Sequence, residues 1–261
     1  MPQVTVGVSL KAYFDRRAAR VWFGEVADLV RAHAAVRDGA VTVFVVPSYL
    51  QLDDARGYLD GTGVRLGVQD VSAHEPGAYT GETTAAEAAE SGAAYAEIGH
   101  AERRRLFGET DETVAAKTTA ALRHGLTPVL CLGESQRQGP AAAAGATLEQ
   151  LHADLAGTPA GPVVIAYEPV WAIGAPEPAP VDHITVVTRA LRAALDADPG
   201  RAGSAVIYGG SAGPGLLTRL GHDVDGLFLG RFAHDPAALG RVLDEAAALA
   251  VSRAASAAEA P

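Results

Sequence analysis

Short apolar blocks alternate along the chain with longer mixed stretches. Blocks of this length, rich in β-branched residues and bounded by glycine or proline, read as buried parallel strands. The first is Val4-Thr5-Val6-Gly7-Val8-Ser9-Leu10, followed by a helix from about Asp15 to Arg37. Ala40 to Val46 is a second strand, with a helix from about Leu50 to Asp60. Val64 to Val68 is a third, and a polar loop through Gly77 and Gly81 leads to an alanine-rich helix, Thr83–Ser91. Tyr95 to Gly99 is a fourth strand with Asp111–His124 as its main helix, and Thr127 to Leu132 a fifth with a helix around Ala141–Leu155. The sixth, Pro162-Val163-Val164-Ile165-Ala166, precedes Val181–Asp198; the seventh, Ser204 to Tyr208, precedes a short helix near Pro214–Leu220. Gly226 to Leu229 is the eighth strand, and Pro236–Arg253 the last helix.

Eight strand–helix units fit within 261 residues, and no linker-like shift in composition separates two halves. That number suits a closed (β/α)8 barrel better than an open doubly wound sheet. The pattern predicts one domain over residues 1–253 and a frayed alanine-rich tail over 254–261.

Composition narrows the functions available. A net charge of −10 argues against nucleic-acid binding over a broad surface, but leaves room for a small anion held by a few backbone amides. No apolar run is long enough to cross a membrane and no leader precedes the first strand, so a cytoplasmic protein is expected. The single cysteine, Cys131, excludes an intrachain disulfide; at the end of the fifth strand it reads as a packed small residue, not a nucleophile.

Chemistry in a (β/α)8 barrel sits at the C-terminal ends of the strands. Lys11 follows the first strand, His100 the fourth, Glu168 the sixth, Tyr208-Gly209-Gly210-Ser211 the seventh and Gly230-Arg231 the eighth. Taken singly, each has a bland reading as a surface lysine, a capping histidine or a turn glycine. Together they fall on one face. The glycine-rich ends of strands seven and eight expose N–H groups for a phosphate. A carboxylate opposite them can remove a proton beside a carbonyl. A histidine at a helix N-terminus feels about half a positive charge, which disfavours its protonation and leaves a neutral donor for the carbonyl oxygen. A lysine adds positive charge for a developing enediolate. Pro169 fixes the backbone after Glu168, and the segment beyond reads as a hinged lid. Trp171 is its packing aromatic, and Tyr208 a hydrogen-bonding partner for the closed lid.

Four blocks carry a resemblance to the triosephosphate isomerase family. They are Gly77-Ala78-Tyr79-Thr80-Gly81-Glu82; Gly99-His100-Ala101-Glu102-Arg103-Arg104 with Phe107-Gly108-Glu109; Tyr167-Glu168-Pro169-Val170-Trp171-Ala172-Ile173-Gly174; and Tyr208-Gly209-Gly210-Ser211. The resemblance runs nearly end to end. It implies a single-domain (β/α)8 TIM barrel and a cofactor-independent aldose–ketose isomerase of a triose or tetrulose phosphate, working through an enediolate. Glu168 is then the base, His100 the electrophile and Lys11 the electrostatic partner, supported by Glu102. This glutamate and neutral-histidine pairing is the family's own known pattern. The resemblance further implies that Gly174, Ser211 and Gly230 offer amides to the phosphate. It implies no metal, a place in glycolysis or related sugar metabolism, and a homodimer in which the Thr80 loop reaches the neighbouring site.

The departures lie on the substrate side. Where the family has asparagine, an aromatic, lysine, methionine and asparagine, this chain reads Ser9-Leu10-Lys11-Ala12-Tyr13. Ser9 is shorter and lacks the amide. Ala101 replaces a serine after the histidine, and Arg231 replaces the second glycine of the last phosphate loop, where it either binds an anion or fills its space. The lid continues Ala175-Pro176-Glu177-Pro178-Ala179-Pro180, whose prolines stiffen it and remove donors. This pattern fits a changed substrate, and a serine before the lysine is similar to the family branch acting on erythrulose phosphates. The alternative is a phosphosugar-binding paralogue with little or no turnover. Of the remaining histidines, His183 with Asp182 reads as a helix start, His33, His124 and His152 as solvated, and His74 as a contact to the partner subunit. His222 falls in a turn, and His234 at a helix start.

Overall fold

The valine-rich blocks form eight parallel strands. They are β1 (Val4–Ser9), β2 (Val41–Val46), β3 (Arg65–Val68), β4 (Tyr95–Ile98), β5 (Thr127–Leu132), β6 (Val164–Tyr167), β7 (Ala205–Tyr208) and β8 (Gly226–Leu229). Each pairs with the next, and β8 pairs with β1 to close the barrel. A computed structural model describes residues 4–259.

The strands are buried on both faces, which is why they read as continuous apolar runs and not as alternating ones. One apolar cluster gathers Phe44, Val46, Val129, Cys131, Val164, Ala166, Ile207 and Phe228. Phe44 stacks on Tyr95 at 4.4 Å and on Phe228 at 5.8 Å. Gly7 makes room for it, because a Cβ there would lie 2.2 Å from the Phe44 ring. The larger cluster joins strands to helices, with Trp22, Phe23, Leu191 and Leu243 among its buried members.

The helices are α1 (Arg16–Ala32), α2 (Ala34–Arg37), α3 (Leu52–Leu59), α4 (Ala85–Glu90) and α5 (Ala101–Phe107), then α6 (Asp111–Arg123) and α7 (Pro140–Asp154). α8 (Val181–Asp196), α9 (Leu216–Leu220) and α10 (Pro236–Glu259) complete the set. Three differ from the sequence reading. The expected helix to Arg37 breaks at His33, whose extended backbone separates α1 from α2. A short helix, α5, precedes α6 and carries the residues after His100. α10 continues through 254–259, where a frayed tail is expected; Arg253, just before, is buried and pairs with Asp225, while 255–259 are exposed; Ala260 and Pro261 lie outside the described residues. Among the described residues no helix is long and apolar enough to cross a membrane.

Candidate active site

Strand ends place the functional side chains. Lys11, Glu102, Glu168, Gly174, Ser211, Gly230 and Arg231 all line one cavity of about 1060 Å³ at the C-terminal mouth of the barrel.

Glu168 directly follows β6, and its N–H donates to the Leu132 carbonyl at 2.7 Å, so the ladder with β5 continues to the carboxylate itself. The side chain is buried, and Oε2 lies 3.2 Å from Nε2 of His100. No hydrogen bond of full geometry is made to Oε2. Oε1 rests against Gly209, where a Cβ would stand only 2.4 Å away. A side chain at 209 would displace the carboxylate.

His100 caps α5: its Nδ1 accepts the N–H of Glu102 at 3.1 Å. That donor holds Nδ1 unprotonated, so the ring proton sits on Nε2 and faces Glu168. The helix end was expected to disfavour charge on this ring. Burial works in that direction, but the adjacent Glu168 carboxylate outweighs it and the pKa lies above the usual histidine range.

Lys11 occupies a left-handed backbone position, φ 47°, which is uncommon outside glycine and frequent at functional sites. Its Nζ is 3.1 Å from Oε1 of Glu102, and Gln69 Nε2 donates to its carbonyl at 2.9 Å. Burial opposes the Lys11 charge, yet the carboxylates of Glu168, Glu102 and Glu97 prevail and raise its pKa. Glu102 shifts downward; burial pushes it up, and Lys11 and His100 pull it below its ordinary value.

Across the cavity, Gly174 and Ser211 both have positive φ, 73° and 54°. The Ser211 hydroxyl lies 2.9 and 2.8 Å from the carbonyls of Ala172 and Ala175 and shares its one proton between them, pinning the hinge of the lid. Arg231 is exposed, with Nη2 3.5 Å from the Gly174 carbonyl. The far arm of the lid is tied down where the Ala179 N–H donates to the Tyr208 hydroxyl at 2.9 Å. Trp171 packs edge-on to His183 at 5.5 Å, and its indole donates to Oε1 of Glu134 at 2.8 Å. Thr80 lies on an exposed loop beside Tyr79, whose ring stacks on His74 at 4.1 Å.

Two carboxylates escape the sequence reading. Glu134 collects the Tyr167 hydroxyl, the Trp171 indole and Nε2 of His183, at 3.0, 2.8 and 2.9 Å. His183 does open α8, but it is buried in this network. A glutamate just past the fifth strand was the available signal. Glu97 lies inside β4, buried, and accepts the Ser9 hydroxyl at 2.7 Å. A charge within an apolar strand was the signal there. His33 and His124 keep some exposure and also find acidic neighbours: His33 Nε2 is 3.4 Å from Asp244, and His124 Nε2 is 2.8 Å from Glu75.

A buried carboxylate, an imidazole that turns its Nε2 toward it and an ammonium at one end of the barrel can move a proton between adjacent carbons of a small hydroxyketone. Turns of positive φ opposite them suit an anionic end. Barrel and site together define the phosphosugar isomerases that work through an enediolate. The chain belongs to the triosephosphate isomerase family, whose family model matches residues 4–246. It is similar to the L-erythrulose-1-phosphate isomerase of Pectobacterium atrosepticum, 46% identical over 248 residues that cover 94% of this chain and 96% of that one. The triosephosphate isomerase of Thermus thermophilus is 41% identical over 224 residues, 82% of this chain and 86% of its own. The L-erythrulose-1-phosphate isomerase of Rhizobium etli is 41% identical over 205 residues, 76% of each chain. The chain is a phosphosugar isomerase; these relatives do not favour a binding paralogue without turnover.

Proposed function

We propose that the chain isomerises a tetrulose phosphate of the erythrulose type, with Glu168 as base, His100 as electrophile and Lys11 as electrostatic partner. The observation that carries the substrate reading is at Ser9. Its hydroxyl is committed to Glu97 at 2.7 Å, so the position where the family has asparagine supplies neither the amide nor its bulk. The nearly full-length likeness to the Pectobacterium L-erythrulose-1-phosphate isomerase supports the same substrate class.

In this reading Glu168 takes the proton from the carbon next to the carbonyl, on the side away from the phosphate. The Nε2–H of His100 hydrogen-bonds the carbonyl oxygen and passes it its proton, and the ring then takes back the proton of the adjacent hydroxyl, whose oxygen becomes the new carbonyl. Glu168, now a carboxylic acid, no longer raises the His100 pKa. Lys11 stabilises the negative oxygen, and the proton returns from Glu168 to the neighbouring carbon. One C–H bond breaks, another forms, and the carbonyl moves by one carbon. A tetrulose 1-phosphate becomes a tetrulose 4-phosphate, while dihydroxyacetone phosphate would give glyceraldehyde 3-phosphate. Gly174, Ser211 and Gly230 offer N–H groups to the phosphate, and Arg231 adds charge at its rim. Glu102 holds Lys11, and Trp171 and Tyr208 steady the lid. The reading extends to a homodimer through the Thr80 loop.

A panel assay tests this. Dihydroxyacetone phosphate, glyceraldehyde 3-phosphate and the erythrulose phosphates are incubated in deuterated water, and deuterium uptake and product are followed by NMR. The expected result is the highest kcat/KM on an erythrulose phosphate. A clear preference for the trioses would instead make the chain a triosephosphate isomerase with an altered rim.

A further inference from the structure

Glu97 is the only charged side chain in β4, and it is 3% exposed. A carboxylate in such a place costs stability unless it is bonded, and an apolar residue would pack the strand more cheaply. Among the described residues its hydrogen-bond partner is Ser9, the last residue of β1. β4 pairs with β3 and β5, and β1 with β2 and β8, so this bond crosses the barrel interior between strands that do not touch through their backbones.

A second bridge joins the same two strand ends above it. Lys11 lies two residues beyond Ser9, Glu102 lies five beyond Glu97, and their ion pair spans 3.1 Å. Between the two bridges the chain turns through the left-handed backbone of Lys11. Gln69, donating to the Lys11 carbonyl, braces that turn from β3's side. The ammonium is therefore aimed by a strained turn held from below, from the side and from its tip. Burial pushes the Glu97 carboxyl above its usual range, against the lowering by His100 and by the Ser9 hydroxyl, as befits a group kept for its hydrogen bond at some cost.

We propose that Glu97 is a positioning residue for the isomerisation: by accepting the Ser9 hydroxyl across the barrel, it fixes the end of β1 and with it the turn that aims the Lys11 ammonium at the reacting oxygen. The inference rests on the role given to Lys11 above.

The test compares Glu97→Leu, Ser9→Ala, the double variant, Glu97→Gln and Lys11→Met on the phosphosugar that the wild-type chain turns over best. Glu97→Leu and Ser9→Ala should each lower kcat by about 10- to 100-fold, with KM within about threefold, because the oxygen they affect carries charge only in the transition state. The double variant should be no worse than the weaker single one. Glu97→Gln keeps an acceptor for Ser9 and should restore kcat to within about threefold of wild type, which an effect of charge would not do; the fall in kcat at nearly constant KM separates positioning from a general loss of structure. Binding of 2-phosphoglycolate, whose carboxylate mimics the enediolate, should weaken about tenfold or more in Glu97→Leu by calorimetry. Unchanged kcat in Ser9→Ala, losses that multiply in the double variant, or a Gln variant as poor as the Leu variant would each overturn the inference. If Glu97→Leu does not fold, Ser9→Ala and Glu97→Gln decide the matter alone. Lys11→Met separates the two layers: full activity in that variant removes the role of Lys11 itself, whereas its loss beside an intact Ser9→Ala removes only Glu97.

Discussion

Oε2 of Glu168 stands 3.2 Å from Nε2 of His100 and accepts nothing from it, although both groups are buried. A buried carboxylate oxygen without a donor costs about 1–3 kcal/mol. The same lack of a donor keeps its lone pair free for a carbon-bound proton.

Replacing Glu168 should separate activity from stability. Glu168→Ala or Glu168→Gln should lower turnover by ~10²–10⁴-fold or more. The Gln variant should unfold at a temperature no lower than the wild type, since the orphaned charge is gone. Deuterium uptake and thermal unfolding check the two halves. Near-normal turnover would remove Glu168 as the base.

Tyr208→Phe deletes the acceptor for the Ala179 N–H and should loosen the far arm of the lid by about 1 kcal/mol. We expect kcat/KM to fall by about fivefold, in line with that loss, and limited proteolysis between 174 and 180 to speed up. An arm that resists protease as before would mean that Pro176, Pro178 and Pro180 hold it without the tyrosine.

Arg231 lines the cavity and reaches toward the Gly174 carbonyl at 3.5 Å. Arg231→Gly should change the ratio of rates on triose and tetrulose phosphates, raising the triose side. The panel assay reads this directly, and an unchanged ratio takes Arg231 out of substrate selection.

Stability should decline from mildly acidic to mildly basic solution. Burial pushes the carboxyls of Asp70 up to about 6 and Asp154 up to about 7, against the pull of Lys117 and Arg104. Both therefore bind protons more readily in the native state than in the unfolded one, and stability drops as pH rises between their unfolded and folded values. His100, also raised, contributes below its unfolded pKa and loses that contribution as pH climbs through the folded one. Glu102 and Glu109 shift downward and act oppositely, but only as pH falls through the carboxylate range. The urea midpoint should peak at about pH 5 and fall toward pH 8. A midpoint that rises between pH 6 and 8 would contradict this.

The homodimer is testable by sedimentation at micromolar concentration. The exposed loop that carries Thr80 is the surface to test. Thr80→Arg should shift the equilibrium toward monomers and lower activity with it. A wild-type chain that sediments as a monomer would end the proposal.

The barrel was legible because parallel strands covered on both sides leave unbroken apolar blocks, and eight of them recur at regular intervals. The end of α1 was not, because His33 breaks the helix through one extended residue and no glycine or proline announces it. Lys11, His100 and Glu168 could be found since a strand end followed by a polar residue is itself a positional signal. Glu97, Glu134 and His183 could not. Their meaning lies in partners 88, 37 and 49 residues away in the chain, Ser9, Trp171 and Glu134, and periodicity along a strand carries no information about such distances. The direction of the His100 shift was missed for a related reason: the helix end is local and visible, whereas the opposing carboxylate arrives from another strand.

The close fit of Gly209 against Glu168 also couples the two positions. A methyl group at 209 would claim the space of Oε1, so the glutamate must turn aside to admit it. A shorter acid at 168 would vacate that space. Gly209 thus acts as a mould for the carboxylate, and its missing side chain decides where that group can rest.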